Sequence, residues 1–433
     1  MHHIAKRGAD QQLFHATGIH QGGETGVIAN RRDAGRAPSA QRLAEITLPP
    51  QPCTLCENAR LCHCRTLRMP HAAIATLSER DARRIARHAP AADAARFLHP
   101  AQQALLHRRG WLTMLAPRSA GGTELPLPQV VRLEEAVAAV DGSMGWVLTL
   151  CAGAGWFAGF LEPELAQAII GTPRVCLGGS GAATGFAEEE GDGYRITGSW
   201  DYASGAPMAT HFTLNARLQR DGQPLLDAQG QPRIRAFLVP AALVQLVPSW
   251  NSLGMRASAS HSYRIDAEWL AKEHGFTIDA TTATADGPLY RYPFYSLAYV
   301  TLAANVAGMA GHFMQLAEEC MRHRRHARAG LPLLEVPEVA AMLQGKKDTC
   351  AAARARFYAV LDDSWATVAG GAVLDDNTMQ AVQAASLALV AAARSAVDGA
   401  YPYCGLYAAR EDSSINRVWR DFHTASQHAL LLP

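Results

Sequence analysis

The last stretch of the chain, Arg417-Val-Trp-Arg-Asp421-Phe-His-Thr-Ala-Ser-Gln-His428, concentrates two arginines, an aspartate, two histidines and two hydroxyls. A period of 3.6 residues places Arg417, Arg420 or Asp421, Thr424 and His428 near one side of a single amphipathic helix. Such a face could present cations to a bound anion. It could also offer an imidazole, whose ordinary pKa near 6.5 suits it to give or take a proton beside a redox cofactor. The same residues equally describe a terminal helix with surface charges and a packed histidine, so the segment alone does not decide.

Two further segments carry groups of the same kind. In Trp200-Asp-Tyr-Ala-Ser204-Gly205 a large flat ring stands near a small hydroxyl and a glycine. An indole can cover a conjugated ring system, a serine can hydrogen-bond it, and a glycine lets backbone approach closely, although a tryptophan filling a core is as good a reading. In Trp250-Asn-Ser-Leu-Gly254-Met-Arg256-Ala-Ser258-Ala-Ser260 one cation sits among hydroxyls, a donor set that can hold a phosphate where it faces a cleft. Gly178-Gly-Ser-Gly181 lacks the spacing of a phosphate loop and reads as a turn. His211 and His423 read as packing or surface histidines.

The elements that must position these groups change character along the chain. Residues 1–77 form a leader of low periodicity ending in Cys53-Thr-Leu-Cys56 and Cys62-His-Cys64. The single residue between Cys62 and Cys64 is poor zinc-knuckle geometry, so these thiols are expected to be uncommitted and no metal site is expected. From an N-cap at Ser78, residues 78–171 show helical spacing, with Pro90 as a point where the first helix could kink or divide. Residues 172–282 carry strand signals, including 194–197, 211–215, 235–239 and 243–247 between Gly, Asp and Pro turns, and these predict a small antiparallel β-barrel. Residues 283–433 return to helical periodicity over 299–329, 335–368 and 376–399, as in a C-terminal four-helix bundle.

Composition narrows the function. A formal net charge of +1 excludes a basic nucleic-acid surface. With 48% hydrophobic and 18% charged residues the chain reads as globular with a large core, and no uninterrupted apolar span of membrane length stands out. Nine cysteines without a secretory leader favour free thiols in a cytoplasmic setting.

The order helical domain, small barrel, helical bundle resembles the acyl-CoA dehydrogenase fold, an α+β architecture, and in particular its reduced-flavin-dependent, two-component monooxygenase (group D) branch. The resemblance covers residues 78–433 and rests on Leu115-Ala-Pro117 with Gly121-Gly122, Asp141-Gly-Ser143-Met-Gly-Trp146, the Trp200 and Gly254 segments, and the Arg417 segment with His428. It implies an oxygenase component related to phenolic-acid hydroxylases and dibenzothiophene monooxygenase. Such an enzyme takes reduced FMN or FAD from a separate flavin reductase and adds O2 at the flavin C4a carbon. The hydroperoxide then oxidises an aromatic or heteroatom-containing small molecule.

By the same resemblance His428 sits beside the flavin and Ser143 lies near flavin and substrate. Trp200, Ser204 and Gly205 border the ring, Arg256, Ser258 and Ser260 serve the phosphate-bearing tail, and Arg420 and Asp421 position the terminal helix or cofactor. Trp146 lies in the neighbouring pocket, with Phe294 and Tyr295 as further lining for a ring substrate. A homotetramer is implied too. The alternatives are an acyl-CoA dehydrogenase-like enzyme, for which Glu411, in the polar run Arg410-Glu-Asp-Ser-Ser, is the candidate base just ahead of the terminal signature, and a non-catalytic helical scaffold.

Overall fold

The computed structural model describes residues 75–432. Apart from residues 75–77, the leader lies outside the described residues, and so do Cys53, Cys56, Cys62, His63 and Cys64. The cysteines that are described, Cys151, Cys176, Cys320, Cys350 and Cys404, are free thiols.

Helix α1 (Glu79–Ala95) starts where the sequence predicts. The Asp81 N–H donates to Ser78 Oγ at 3.2 Å, and Glu79 and Asp81 in the first turn complement the helix dipole. Ile85, Ala89 and Ala92 form its buried stripe, and the helix passes through Pro90 undivided. Helix α2 (Pro100–Arg108) opens with a reciprocal cap between His99 and Gln102. It is followed by α3 (Leu127–Ala138), α4 (Gly142–Trp156) and α5 (Pro163–Ile170). Helix α4 is apolar and buried on nearly every side, so it has no solvent face and serves as the hub for its neighbours.

The sheet corrects the barrel expectation. Strands β1 (Leu177–Gly179), β2 (Gly185–Glu190), β3 (Gly193–Ala203), β4 (His211–Arg220), β5 (Gln223–Pro224), β6 (Ile234–Pro240), β7 (Gln245–Val247), β8 (His261–Ala271) and β9 (Gly275–Phe276) make an open sheet ordered β7-β8-β3-β2-β4-β6-β9. It is mixed, because β1 and β2 both run parallel to β4. The hairpin partner β3 takes one edge of β2, and the chain then turns back, so β4 arrives on the other edge in the direction of β2. Closure fails because the terminal strands β7 and β9 are short and each pairs with one neighbour. Trp200, Phe212, Phe237 and Tyr263 form the centre of the sheet's own core. Gly178 and Gly179, expected in a turn, are strand residues of β1 paired with Phe212 and Thr213 of β4.

Helices α6 (Phe294–His323), α7 (Pro337–Ala369) and α8 (Asp376–Cys404) follow, then the short α9 (Leu406–Ala409) and the terminal α10 (Ser414–Ala425). Two segments, Gly142–Phe160 and Phe294–His323, are long and apolar enough to cross a membrane by length and composition, which the sequence reading missed. In this fold both are mostly buried core helices.

Helix α10 differs from the expected single helix through His428. It stops at Ala425, Ser426 caps it, and His428 instead opens the next short turn, Ala429–Leu431. The helix lies so close to Gly254 that a Cβ there would stand 2.0 Å from the Arg420 carbonyl oxygen and 2.5 Å from the Asp421 nitrogen. Gly254→Ala is therefore expected to cost about 1–3 kcal/mol of stability. Urea denaturation would register this as a lower midpoint with an unchanged slope.

Candidate functional site

The N-terminal half of α4 organises the site. Asp141 caps the helix, accepting from the Ser143 N–H at 3.1 Å, and its other oxygen accepts from Gln102 Nε2 at 2.6 Å. This fixes Ser143 in the first turn and Trp146 three residues later on the same side. Trp146 Nε1–H donates to Ser204 Oγ at 3.1 Å, Ser204 Oγ meets Ser260 Oγ at 2.9 Å, and Ser260 Oγ meets Ser258 Oγ at 2.7 Å. The Gly205 N–H donates to the Ser258 carbonyl at 2.8 Å, joining the end of β3 to the loop that carries the other two serines. All three serines are buried. The result is a continuous line of hydroxyls ending on an indole.

His428 reaches the same place from the chain end, its ring edge-on to Trp146 with centroids 5.9 Å apart. Its Nδ1 accepts from the Leu430 N–H at 3.3 Å, which leaves the proton on Nε2. Although part of the residue reaches solvent, burial of the ring lowers its pKa to about 4. The imidazole is neutral near pH 7 and has a single N–H to donate. Among the described residues that N–H has no hydrogen-bond partner, and neither does Ser143 Oγ.

The loop at 253–260 is gripped by α10. Arg420 donates to the Leu253 carbonyl at 2.8 Å, the Gly254 N–H donates to Thr424 Oγ1 at 3.0 Å, and the Met255 N–H donates to Asp421 Oδ1 at 2.6 Å. Three consecutive backbone groups are thus held by one helix face. The grip holds Met255 at φ +52°, and farther along the loop Ala259 stands at φ +45°, both left-handed conformations costly for residues with a Cβ. Arg420 itself is almost fully buried and pairs with Asp93 of α1 at 2.8 Å.

Other expected site residues fall elsewhere. Trp200 is wholly enclosed, its Nε1–H donating to the Asn215 carbonyl at 2.9 Å and its ring stacked on Tyr263, so it fills the sheet core and offers no face to a ligand. Arg420 is committed to Asp93, Leu253 and Asn416, so its donors tie the terminal helix to α1 and to the loop. Arg256 lies at the loop's edge in loose ion pairs, 3.5 Å from Glu411 and 4.0 Å from Asp93. Phe294 packs on Trp156 and Phe157, and Tyr295 packs on Phe294. That aromatic group marks the far end of α4, about 15 Å along the helix from Trp146 at 1.5 Å per residue. His211 bonds Thr210 and His423 sits beside Asp398, both outside the hydroxyl line. Glu411 has a side chain 77% exposed, so it is no buried base.

Sequence reasoning missed Asp93, Asp141 as a cap, and Gln102. Gln102 left a local sign, its place three residues after His99 at a helix start, and so did Asp141, a favoured cap residue directly before an apolar run.

Residues 300–433 match the family model for the acyl-CoA dehydrogenase C-terminal domain. The chain is 22% identical over 329 residues to the oxygenase subunit HsaA of a flavin-dependent monooxygenase from Mycobacterium tuberculosis, covering 74% of this chain and 82% of HsaA. The HsaA crystal structure superposes with a TM-score of 0.77 at 20% identity, over 84% of this chain and 96% of the other. XiaF from a Streptomyces species, solved with FADH2 and glycerol, gives 0.74 at 22% identity over 83% and 92%. FMN-bound TdsC, a dibenzothiophene monooxygenase from Paenibacillus, gives 0.69 at 20% identity over 83% and 94%. The chain has an acyl-CoA dehydrogenase-like fold, and its sequence is similar to those of oxygenase subunits of flavin-dependent monooxygenases.

Proposed function

We propose that this protein is the oxygenase component of a two-component flavin-dependent monooxygenase, receiving reduced FMN or FAD from a separate reductase and using O2 to oxidise an aromatic or heteroatom-containing small molecule. The observation that carries the reading is the convergence of a neutral His428, Trp146 and the Ser204, Ser260 and Ser258 hydroxyls on one buried place. Relatives named as oxygenase subunits support it, and that naming is the ground for a separate reductase. Structures holding FADH2 and FMN among the neighbours leave both flavins open.

The donor set suits a flavin. Hydroxyls that both give and accept hydrogen bonds match ring carbonyls and nitrogens, and a guanidinium in loose pairs, Arg256, is free to exchange a carboxylate for a phosphate. Ser143, Ser204 and Ser260 would hold the ring side and Arg256 the phosphate side, with the fully enclosed Ser258 supporting Ser260 from behind. Reduced flavin, when bound, supplies the electrons that activate O2 for transfer of one oxygen atom to the substrate.

What this chain's residues contribute is a shielded, weakly acidic setting. His428 Nε2–H is a donor that holds an oxygen in place but releases its own proton reluctantly, because an imidazole already neutral is a very weak acid. A charged imidazolium there would deliver protons early and waste the reduced flavin as hydrogen peroxide. Burial prevents that by keeping the ring neutral. Trp146, locked by Ser204, cannot swing and so keeps a fixed apolar wall against water. The dehydrogenase reading needs a buried carboxylate base, and the exposed Glu411 does not supply one.

Anaerobic titration with reduced FMN and FAD is expected to give saturable binding of at least one. Mixing the complex with oxygenated buffer should then give reoxidation in two resolved spectral phases, whereas tight binding of oxidised FAD with single-phase reoxidation would favour the dehydrogenase. In His428→Asn, product formed per reduced flavin consumed should fall about 10-fold or more, the equivalent of one ~1.4 kcal/mol hydrogen bond, with a smaller change in reduced-flavin Kd. Equal losses in both would refute the assigned role. Because the folded pKa of His428 lies at about 4, below its ordinary 6.5, unfolding takes up a proton between these values. Its contribution to stability therefore rises with pH over that window, and the stability gap between wild type and His428→Asn should change across pH 4 to 6.5 and level off above it.

A further inference from the structure

Of the three side chains with which α10 grips the loop, one is both titratable and buried without an ion pair of its own. Asp421 is 2% exposed, and its Oδ1 receives the Met255 N–H at 2.6 Å. The bond falls on the residue whose left-handed φ of +52° leads into the 3-10 turn of Arg256, Ala257 and Ser258. Behind Asp421 the packing is tight. A Cβ on Gly142 would lie 3.1 Å from the Asp421 Cβ, so Asp421 packs closely against the start of α4.

We infer that Asp421 is the positioning residue of the flavin-side loop: its carboxyl group holds the left-handed start at Met255 and so sets where the Ser258 and Ser260 hydroxyls stand. The function assigned to those hydroxyls rests on the reading given under Proposed function, whereas the control of the loop does not. Thr424 and Arg420 hold the preceding two residues, but neither changes charge in the working pH range. Asp421 therefore makes the loop's closure proton-linked.

The groups around it fix the sign. Asp141 faces it from the cap of α4 and Asp93 from α1, while Arg417 approaches from its own helix. Gln102 is engaged by Asp141, and Arg420 and Arg256 both lie against Asp93. Burial first, then the Asp141 charge, push the Asp421 carboxyl up to about 7, against the pull of the Met255 bond and Arg417. The closed loop thus binds the proton more tightly than an opened, hydrated one. Closure is strongest below the ordinary carboxyl range and weakens as pH rises through about 7.

Hydrogen exchange followed by mass spectrometry on the full chain tests this, comparing wild type with Asp421→Asn and Asp421→Ala and correcting for intrinsic exchange rates. Asparagine keeps the acceptor without the titration, and alanine removes both. The expected result is an about 10- to 100-fold loss of protection at residues 255–260 in Asp421→Ala, the scale of one hydrogen bond to a carboxyl group, with α1 and β4 unchanged. Asp421→Asn should retain most of the protection and lose the decline that wild type shows between pH 5.5 and 8. Wild-type protection in Asp421→Ala, or an undiminished pH response in Asp421→Asn, overturns the inference. Should Asp421→Ala not fold, the Asp421→Asn pH comparison decides alone. Reduced-FMN and reduced-FAD titrations of the same samples separate the two claims: a loop that responds as stated in a protein that binds neither reduced flavin leaves Asp421 its role and removes the flavin reading.

Discussion

Arg420 is the piece on which the site's architecture hangs. A guanidinium this deeply buried persists only when its donors are used, and here Asp93 of α1, the Leu253 carbonyl and Asn416 use them. Removing either Arg420 or Asp93 would leave an uncompensated buried charge, so the terminal helix, the first helix and the loop after β7 are held as one unit. Thr424 and Asp421 extend the same grip along the backbone. The left-handed Met255 and Ala259 are affordable only inside such a frame, and Ser258 and Ser260 stand where they do because of it.

Helix α4 supplies the other fixed element. Being buried on almost all sides, it cannot rotate to expose a different face, so the cap at Asp141 determines the heading of Ser143 and Trp146. The indole then meets one partner from β3, Ser204, and one from the chain end, His428. Its far end is apolar and aromatic, with Trp156 stacked on Tyr290 and Phe294. The helix thus separates a hydroxyl-lined region from an aromatic one along a single rigid axis.

The same fold serves dehydrogenation and oxygenation, and local chemistry separates them. A carboxylate base must be buried and aimed, whereas Glu411 is exposed and paired with Arg256 at the surface. An oxygen-activating site instead calls for water exclusion and a donor that is not acidic, which a neutral histidine beside a fixed indole provides. The observed residues match the second requirement.

The sequence by itself determined the local elements and the kinds of groups available. Ser78 and the apolar spacing after it dictate α1, the turn at Gly191 and Gly193 dictates the β2–β3 hairpin, and the hydroxyl-rich runs at 200–205 and 250–260 marked both halves of the serine line. These are short-range consequences of capping, periodicity and turn chemistry, and they survive without knowledge of the whole. Tertiary structure decided what no window contains. Trp200 and Arg420 carry the right chemistry for a cofactor, but packing assigns them to the sheet core and to Asp93, 327 residues away. The barrel failed because strand alternation predicts pairing and not closure, which depends on whether the two edges can meet. His428 was read as the next turn of α10, but the Ser426 cap ends that helix first and turns the imidazole onto Trp146. Burial also set its charge, since a pKa depends on the surrounding dielectric that only the folded chain creates.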